Sequence, residues 1–109
     1  MVTEFSTMEW KENVGFKGGE GVFYNKMIDD GVNKMMQGKL PSGSSIGYHQ
    51  HVGNCEMIFI IEGEGTVLFD DTKNPIKAGC VHYCPEGHSH SLINSGSEDL
   101  IFYAVVPRQ

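Results

Sequence analysis

The chain has 109 residues, a formal net charge of −6 at pH 7, and 14 glycines against only 4 prolines. Such an acidic balance argues against nucleic acids and anionic membranes as partners, because both bind basic surfaces. The length predicts one domain over residues 1–109, and short apolar runs between glycines predict strands and tight turns rather than helices. No signal-peptide pattern and no run of membrane-helix length is present, so we expect a soluble, cytoplasmic protein.

Residues 1–21 predict an irregular N-terminal arm, since they show no sustained hydrophobic period and several glycines interrupt them. A short strand is expected within residues 5–10. The arm carries large apolar side chains that need burial, namely Phe5, Met8, Trp10 and Phe16. They pack either on the domain's own core or against a second subunit, and the second alternative predicts a homodimer.

Residues 22–40 predict a β-hairpin. Val22–Ile28 and Val32–Leu40 are apolar runs of strand length, and Asp29-Asp30-Gly31 between them is typical of a turn. Because successive side chains of a strand alternate between its faces, Met36 and Leu40 are expected on the same face.

The segment from Gly43 to Gly63 concentrates residues that bind metals. His49 and His51 are expected on one face of a strand, roughly 6.5 to 7 Å apart along the backbone, so both imidazoles can reach one ion. Glu56 follows a turn-prone segment and begins an apolar run that reads as a buried strand. A hairpin at this turn would bring Glu56 back beside the histidines.

The second half of the chain predicts further short strands. A hairpin turn is expected at 62–64, between strands at 56–61 and 65–69, and residues 70–74 are expected to form a solvated turn. Further strands are expected at 80–84, 88–94 and 100–106. Short strands that are nearly all antiparallel predict an all-β sandwich or barrel, in which closure removes exposed sheet edges.

The three cysteines are Cys55, Cys80 and Cys84. They are odd in number and form no C-x-x-C pair, which favours reduced thiols over a disulfide framework. Cys80 and Cys84 would share one strand face about 13 Å apart, too far to form a disulfide.

Two sequence motifs resemble those of the cupin family. The first cupin motif, G-x5-H-x-H-x3,4-E-x6-G, is filled over residues 43–63 by Gly43, His49, His51, Glu56 and Gly63. The second, G-x5-P-x-G-x2-H-x3-N, is filled over residues 79–94 by Gly79, Pro85, Gly87, His90 and Asn94. The resemblance therefore implies a single cupin domain, an antiparallel jelly-roll β-barrel of the small single-domain type.

The same resemblance implies a divalent metal inside the barrel. Matched position by position, the family's metal ligands correspond to His49, His51, Glu56 and His90. Three imidazoles and one carboxylate suit Mn, Fe(II), Co, Ni, Cu or Zn, and a six-coordinate ion would keep two positions for water or substrate. The metal's identity does not follow from the ligand types.

The remaining candidate residues match no ligand position. His82 is interpreted as an ordinary strand residue in phase with Cys80 and Cys84, whereas His88 is expected near the mouth of the barrel or on its surface. Cys55 and Cys80 either approach the metal, which would favour Zn or Cu(I), or point away, and the second alternative is preferred. The tyrosines either line a pocket with their hydroxyls or pack in the core, and the core is favoured because aromatic strand residues usually pack there.

Three classes of function fit these residues. The favoured one is a metal-dependent enzyme that binds an oxygen-bearing small molecule, such as a sugar acid or keto acid, for isomerase, lyase or decarboxylase chemistry. Fe(II)-dependent dioxygen chemistry is an alternative within that class. A ligand-binding module or sensor, with or without metal, is the second class, and a purely structural dimeric barrel is the third.

Overall fold

The structure is a computed structural model that describes residues 1–109, and it consists of strands joined by short connections. The strands are β1 (Lys11–Val14), β2 (Val22–Asp29), β3 (Asn33–Leu40), β4 (Ser45–Gln50), β5 (Glu56–Glu62), β6 (Glu64–Phe69), β7 (Thr72–Lys77), β8 (Val81–Cys84), β9 (Ser89–Ile93) and β10 (Leu100–Pro107). Two 3-10 turns, Phe5–Thr7 and Phe16–Gly18, are the only helical segments. None of the helical segments is long or apolar enough to span a membrane.

The strands form two antiparallel sheets. One sheet has six strands in the order β1-β2-β3-β10-β5-β8, and the other has four in the order β4-β9-β6-β7. All strand pairs are antiparallel, as expected from the short strands and tight turns. This arrangement is the predicted all-β jelly-roll barrel.

The core lies between the two sheets. It is built from the inward residues of strands that alternate buried and less buried positions, such as β3 and β10. Met36 and Leu40 are both buried, so they share a face as predicted, and Phe102 of the neighbouring β10 is fully buried beside them. The predicted hairpin at 22–40 is confirmed by the register of β2 and β3, in which Met27 lies opposite Met36.

Two other predicted hairpins are wrong. β4 and β5 belong to different sheets, as do β5 and β6, so the chain crosses the barrel at 51–55 and again at Gly63. A turn signal shows only that the chain reverses, and it does not show whether the next strand pairs with the previous one or with the opposite sheet. Glu56 therefore reaches the histidines across the barrel rather than along a hairpin.

Two further strand predictions need correction. The short strand of the arm lies at Lys11–Val14, where it pairs with β2, and not within residues 5–10. The solvated turn expected at 70–74 is shorter than predicted, because residues 72–74 already belong to β7, which pairs with β6. Most of β7 is exposed, and its polar sequence lacks the apolar alternation on which the strand prediction depends.

Candidate metal centre

The four candidate ligands lie on or directly after three strands from both sheets. His49 lies on β4 and His90 on β9, and the two are directly opposite in the register of that strand pair. Side chains at opposite positions of an antiparallel pair project from the same face, so both histidines enter the barrel together. His51 follows β4 immediately, and Glu56 begins β5 in the facing sheet.

The ligand atoms of these residues converge on one point. His51 Nε2 lies 2.9 Å from His90 Nε2, and Glu56 Oε1 lies 3.2 Å from His51 Nε2 and 3.1 Å from His90 Nε2. With His49 included, no two of the four ligand atoms are more than 4.8 Å apart. Atoms bonded at right angles to an ion at about 2.1 Å lie about 3.0 Å apart, and tetrahedral ligands about 3.4 Å apart. The three measured distances, 2.9, 3.2 and 3.1 Å, are thus in the range expected of atoms that would bind one ion.

The Nδ1 atoms of His49, His51 and His90 form hydrogen bonds with groups outside the cluster. His49 Nδ1 is 2.7 Å from the Gly47 carbonyl oxygen, and His51 Nδ1 is 2.6 Å from Asn54 Oδ1. An oxygen acceptor at Nδ1 requires the proton there, which leaves the lone pair of the neutral ring on Nε2. His49 and His51 are therefore held in the tautomer that a metal ligand needs.

The carboxylate of Glu56 is charged in spite of its burial. Burial alone would raise its pKa, but the contacts with the His51 and His90 imidazoles outweigh that effect and lower the pKa to about 2. The same contact with Glu56 raises the pKa of His51 against the opposing effect of burial. For His49, burial lowers the pKa, and the hydrogen bond with Gly47 only partly opposes this.

His82 contacts the cluster, so its interpretation as an ordinary strand residue is wrong. Its Nε2 lies 2.9 Å from His90 Nδ1, and burial lowers the pKa of His82 to about 4, which keeps the ring neutral. When His90 Nδ1–H donates to His82 Nε2, His90 Nε2 is left free for a metal. His82 and Cys84 lie two positions apart on β8 and therefore project from the same face. Cys84 is buried, so strand alternation indicates that His82 also points inward.

A cavity of about 470 Å³ opens beside the cluster. His49, His51 and Glu56 form part of its wall, and the rest comes from the six-stranded sheet, from β4 and the connection that follows it, and from the N-terminal arm. The volume lies within the range of about 300–1,000 Å³ that is usual for small-molecule sites. A ligand in this cavity therefore has direct access to a metal held by the cluster.

Comparison with known proteins identifies the family. The family model that matches this chain is described as a cupin domain and covers residues 36–106, which include all four candidate ligands. The chain belongs to the cupin family. The family resemblance of the two motifs is thereby confirmed, and so is the jelly-roll fold that it implied.

Several relatives of this cupin have been named. It is 51% identical over 69 residues to an oxalate-binding protein of Thermotoga maritima. The aligned segment covers 62% of this chain and 56% of that protein. It is 31% identical over 65 residues to a glucose-6-phosphate isomerase of Thermococcus onnurineus, covering 55% of this chain and 34% of that protein. The matched segments thus span between a third and just over half of these relatives.

Solved structures show the same architecture. A crystal structure of a predicted oxalate decarboxylase from Thermotoga maritima superposes with a TM-score of 0.94 at 33% identity, with both chains covered completely. A putative sugar phosphate isomerase from Acidithiobacillus ferrooxidans superposes with a TM-score of 0.83 at 24% identity, covering 100% of this cupin and 75% of that chain. The second likeness concerns the fold alone.

The other candidate residues of the cupin lie outside the cluster. His88 is exposed and pairs with Asp70, which places it on the surface, one of its two expected positions. All three cysteines are free, and none belongs to the group of ligand atoms. Burial raises the pKa of the Cys84 thiol to about 12, with a further contribution from Glu56, so this thiol stays protonated. The prediction that the tyrosines lie in the core is wrong for the exposed ones, Tyr48, Tyr83 and Tyr103.

Proposed function

We propose that this cupin binds one divalent transition metal through His49, His51, Glu56 and His90. The observation that carries the proposal is the convergence of Nε2 atoms and one charged carboxylate, while the Nδ1 atoms are engaged by groups outside the cluster. Outer hydrogen bonds of this kind orient metal-binding imidazoles and fix their tautomer. Mn, Fe(II), Co, Ni, Cu and Zn all suit a mixed set of imidazole and carboxylate ligands.

Metal analysis of the purified protein tests this proposal. After growth or reconstitution with each candidate metal and dialysis, we expect about one tightly held ion per chain. His51→Ala is expected to reduce the occupancy strongly, whereas His88→Ala, which removes a surface imidazole, leaves it unchanged. Metal-free protein under every loading condition would overturn the proposal.

We further propose that the bound metal holds a small acid with adjacent oxygen donors, such as oxalate or a keto acid. The likeness to an oxalate-binding protein and the cavity beside the cluster support this class of ligand. A divalent ion would supply Lewis-acid attraction for the two oxygen atoms at its open positions. Calorimetric titration of the metal-loaded protein with oxalate is expected to show one site per chain, and the metal-free protein is expected to show none.

Decarboxylation of such an acid is the second candidate function. It is favoured by the likeness over the whole chain to a structure described as a predicted oxalate decarboxylase. In that reaction the C–C bond of oxalate breaks, carbon dioxide leaves and the remaining carbon takes up a proton to give formate. Formate release that requires the loaded metal would support catalysis, whereas stoichiometric oxalate binding without product would identify a binding or sensor protein.

A homodimer is the proposed assembly, and the outer face of the six-stranded sheet supports it. In the strand registers Phe59 lies between Tyr103 and Val81, and all three side chains are at least 40% exposed. Ile61 and Tyr83 extend this apolar face. A contiguous apolar surface is usually covered by a partner.

Light scattering tests the dimer. It is expected to give twice the chain mass for the native protein and the monomer mass for Phe59→Glu. A monomeric native protein at tens of micromolar would reject the dimer.

A further inference from the structure

The wall of the cavity is cationic in a protein that is acidic as a whole. Lys11, Lys17 and Lys34 line it, although the chain has only 8 lysines and arginines against 14 acidic residues. The one carboxylate of the wall is Glu56, which belongs to the candidate metal site. None of the three lysines forms a salt bridge within the protein. Their charges are therefore available to a ligand.

Lys17 is held at the cavity by an unusual backbone contact. It has φ 56° and ψ 26°, a left-handed conformation that non-glycine residues seldom adopt and that often marks a functional position. Its carbonyl oxygen packs directly on Gly47, where a Cβ atom would collide with it. Gly47 is also the residue whose carbonyl oxygen holds His49, so the arm and the candidate metal site share one anchoring point.

Lys11 stands beside a second donor on the same wall. It lies directly opposite Asn25 in the pairing of β1 with β2, so both side chains project from one face of the sheet. Asn25 is 95% buried and lines the cavity, and its Oδ1 accepts a hydrogen bond from Asn13 Nδ2. The amide N–H groups of Asn25 have no partner in the protein, which leaves them for a ligand.

Part of the cavity wall is apolar. Phe16, Phe23, Met36 and Ile46 line it. Apolar side chains favour contact with the carbon atoms of a ligand over contact with charged groups. Oxalate consists of two directly joined carboxylates and has no such carbon segment, and it would occupy only a small part of about 470 Å³.

We propose that the cavity is built for an elongated dianion, with a metal-binding acid group at one end and a second anionic group held by Lys11 and Lys17. A short carbon segment joins the two ends and packs on the apolar wall. This inference rests on the proposed metal-dependent binding of small acids and adds the class of ligand. Lys34 contributes less, because Asp29 lies directly opposite it in the pairing of β2 with β3. The second anionic group is a carboxylate or a phosphate, and both accept charge-assisted hydrogen bonds from lysine.

Calorimetry on the metal-loaded, full-length protein tests the second site with matched pairs of ligands. Pyruvate and 2-oxoglutarate share the same oxo-acid end, but only the second carries a distal carboxylate. Glycerate and 3-phosphoglycerate are the corresponding pair for a distal phosphate. We expect at least one longer ligand to bind about tenfold or more tightly than its short counterpart, because charge-assisted hydrogen bonds are among the stronger polar contacts. The pair with the larger ratio identifies the anionic group.

The double variant Lys11→Met, Lys17→Met decides the role of the lysines. It is expected to remove most of the difference in affinity between the longer ligand and its short counterpart. Lys73→Met is the control, because it removes the same charge from exposed β7, away from the cavity. Equal affinities within both ligand pairs, or equal effects of the double variant and the control, would overturn the inference. Failure of the proposed function is distinct, since the loaded protein would then bind neither oxalate nor pyruvate.

Discussion

Two histidine–carboxylate pairs of this cupin differ far more in burial than in geometry. His88 Nδ1 and Asp70 Oδ2 are 2.6 Å apart, with side chains 46% and 43% exposed. His51 Nε2 and Glu56 Oε1 are 3.2 Å apart, with side chains 7% and 11% exposed. Water and salt screen the surface pair, so the shorter contact contributes less to stability than its distance suggests. Burial, and not contact distance, distinguishes the pair that belongs to the candidate metal site from the surface pair.

The buried pair also belongs to a larger set, whereas the surface pair does not. Glu56 contacts both His51 and His90, and these imidazoles are held in turn by Asn54 and His82. A charge buried without partners would be strongly destabilising, and the two imidazoles supply the partners that the buried carboxylate of Glu56 needs. Asp70, by comparison, accepts hydrogen bonds from His88 and the Ser89 backbone on the surface, where water is an equally good partner.

The largest expected effect comes from removing a buried ligand. His51→Ala or Glu56→Gln is expected to weaken metal binding by more than about 100-fold, since even the loss of an outer partner costs about 10- to 100-fold. Metal titration monitored by competition with a chelator gives the affinity. His88→Ala is the matched control in the surface pair and is expected to bind metal like the unaltered protein; an equal loss there would contradict the contrast between the two pairs.

Removal of the His82 imidazole is expected to have the next largest effect. His82→Leu leaves His90 Nδ1 without its partner and should weaken metal binding by about 10- to 100-fold. His82→Gln, which places an amide oxygen near the former Nε2 position, should restore part of the affinity. The absorption spectrum of the Co(II)-loaded protein should shift in the leucine variant and return toward the original in the glutamine variant. Identical spectra in all three proteins would show that His82 does not orient His90.

Metal affinity is expected to depend on pH through His51. Its pKa is raised above the ordinary value of 6.5, chiefly by Glu56, so the metal must displace a proton that this ring holds tightly. Affinity should therefore be highest above the raised pKa and should fall as the pH decreases through it. Chelator competition at several pH values, together with proton release measured in different buffers, checks this. An affinity that stays constant through that range would contradict the role of His51.

The smallest effect is expected for the surface pair. The hydrogen bond from His88 lowers the pKa of Asp70, so any stability that the pair adds is present above the ordinary carboxyl pKa of 3.8 and is lost as the pH falls below it. Because both groups are exposed, Asp70→Asn at neutral pH should shift the thermal midpoint by no more than about 2 °C. Thermal unfolding of the metal-free protein measures this shift, and a change of 10 °C would mean that the pair is a structural element.

The spacing of the ligands was readable from the sequence because it is local. His49 and His51 lie two positions apart, and the alternation of a strand places them on one side whatever the rest of the fold does. The turn-prone segment before Glu56 then indicated the carboxylate ligand, and the family motifs supplied His90, which the structure brings to the same point. The hairpin β2–β3 was predictable for the same reason, since its turn residues and both strands are contiguous in the chain.

His82 could not be assigned in this way, because its role depends on a contact between strands of different sheets. β8 belongs to the six-stranded sheet and β9 to the other, and only the packing of the two sheets brings His82 Nε2 to His90 Nδ1. The same limit explains the two wrong hairpins around β5. A turn fixes the local direction of the chain, but the choice of pairing strand is made by burial of the apolar faces between the sheets.

The sequence by itself determined the fold class, the family and the residues of the candidate metal site, because motif spacing and strand alternation act over short distances along the chain. Only the tertiary structure decided which sheet carries each ligand, which groups hold the imidazoles, and that Lys11 and Lys17 line the cavity beside them. These are contacts between residues far apart in the chain. They form only when the two sheets pack together and the N-terminal arm packs on Gly47.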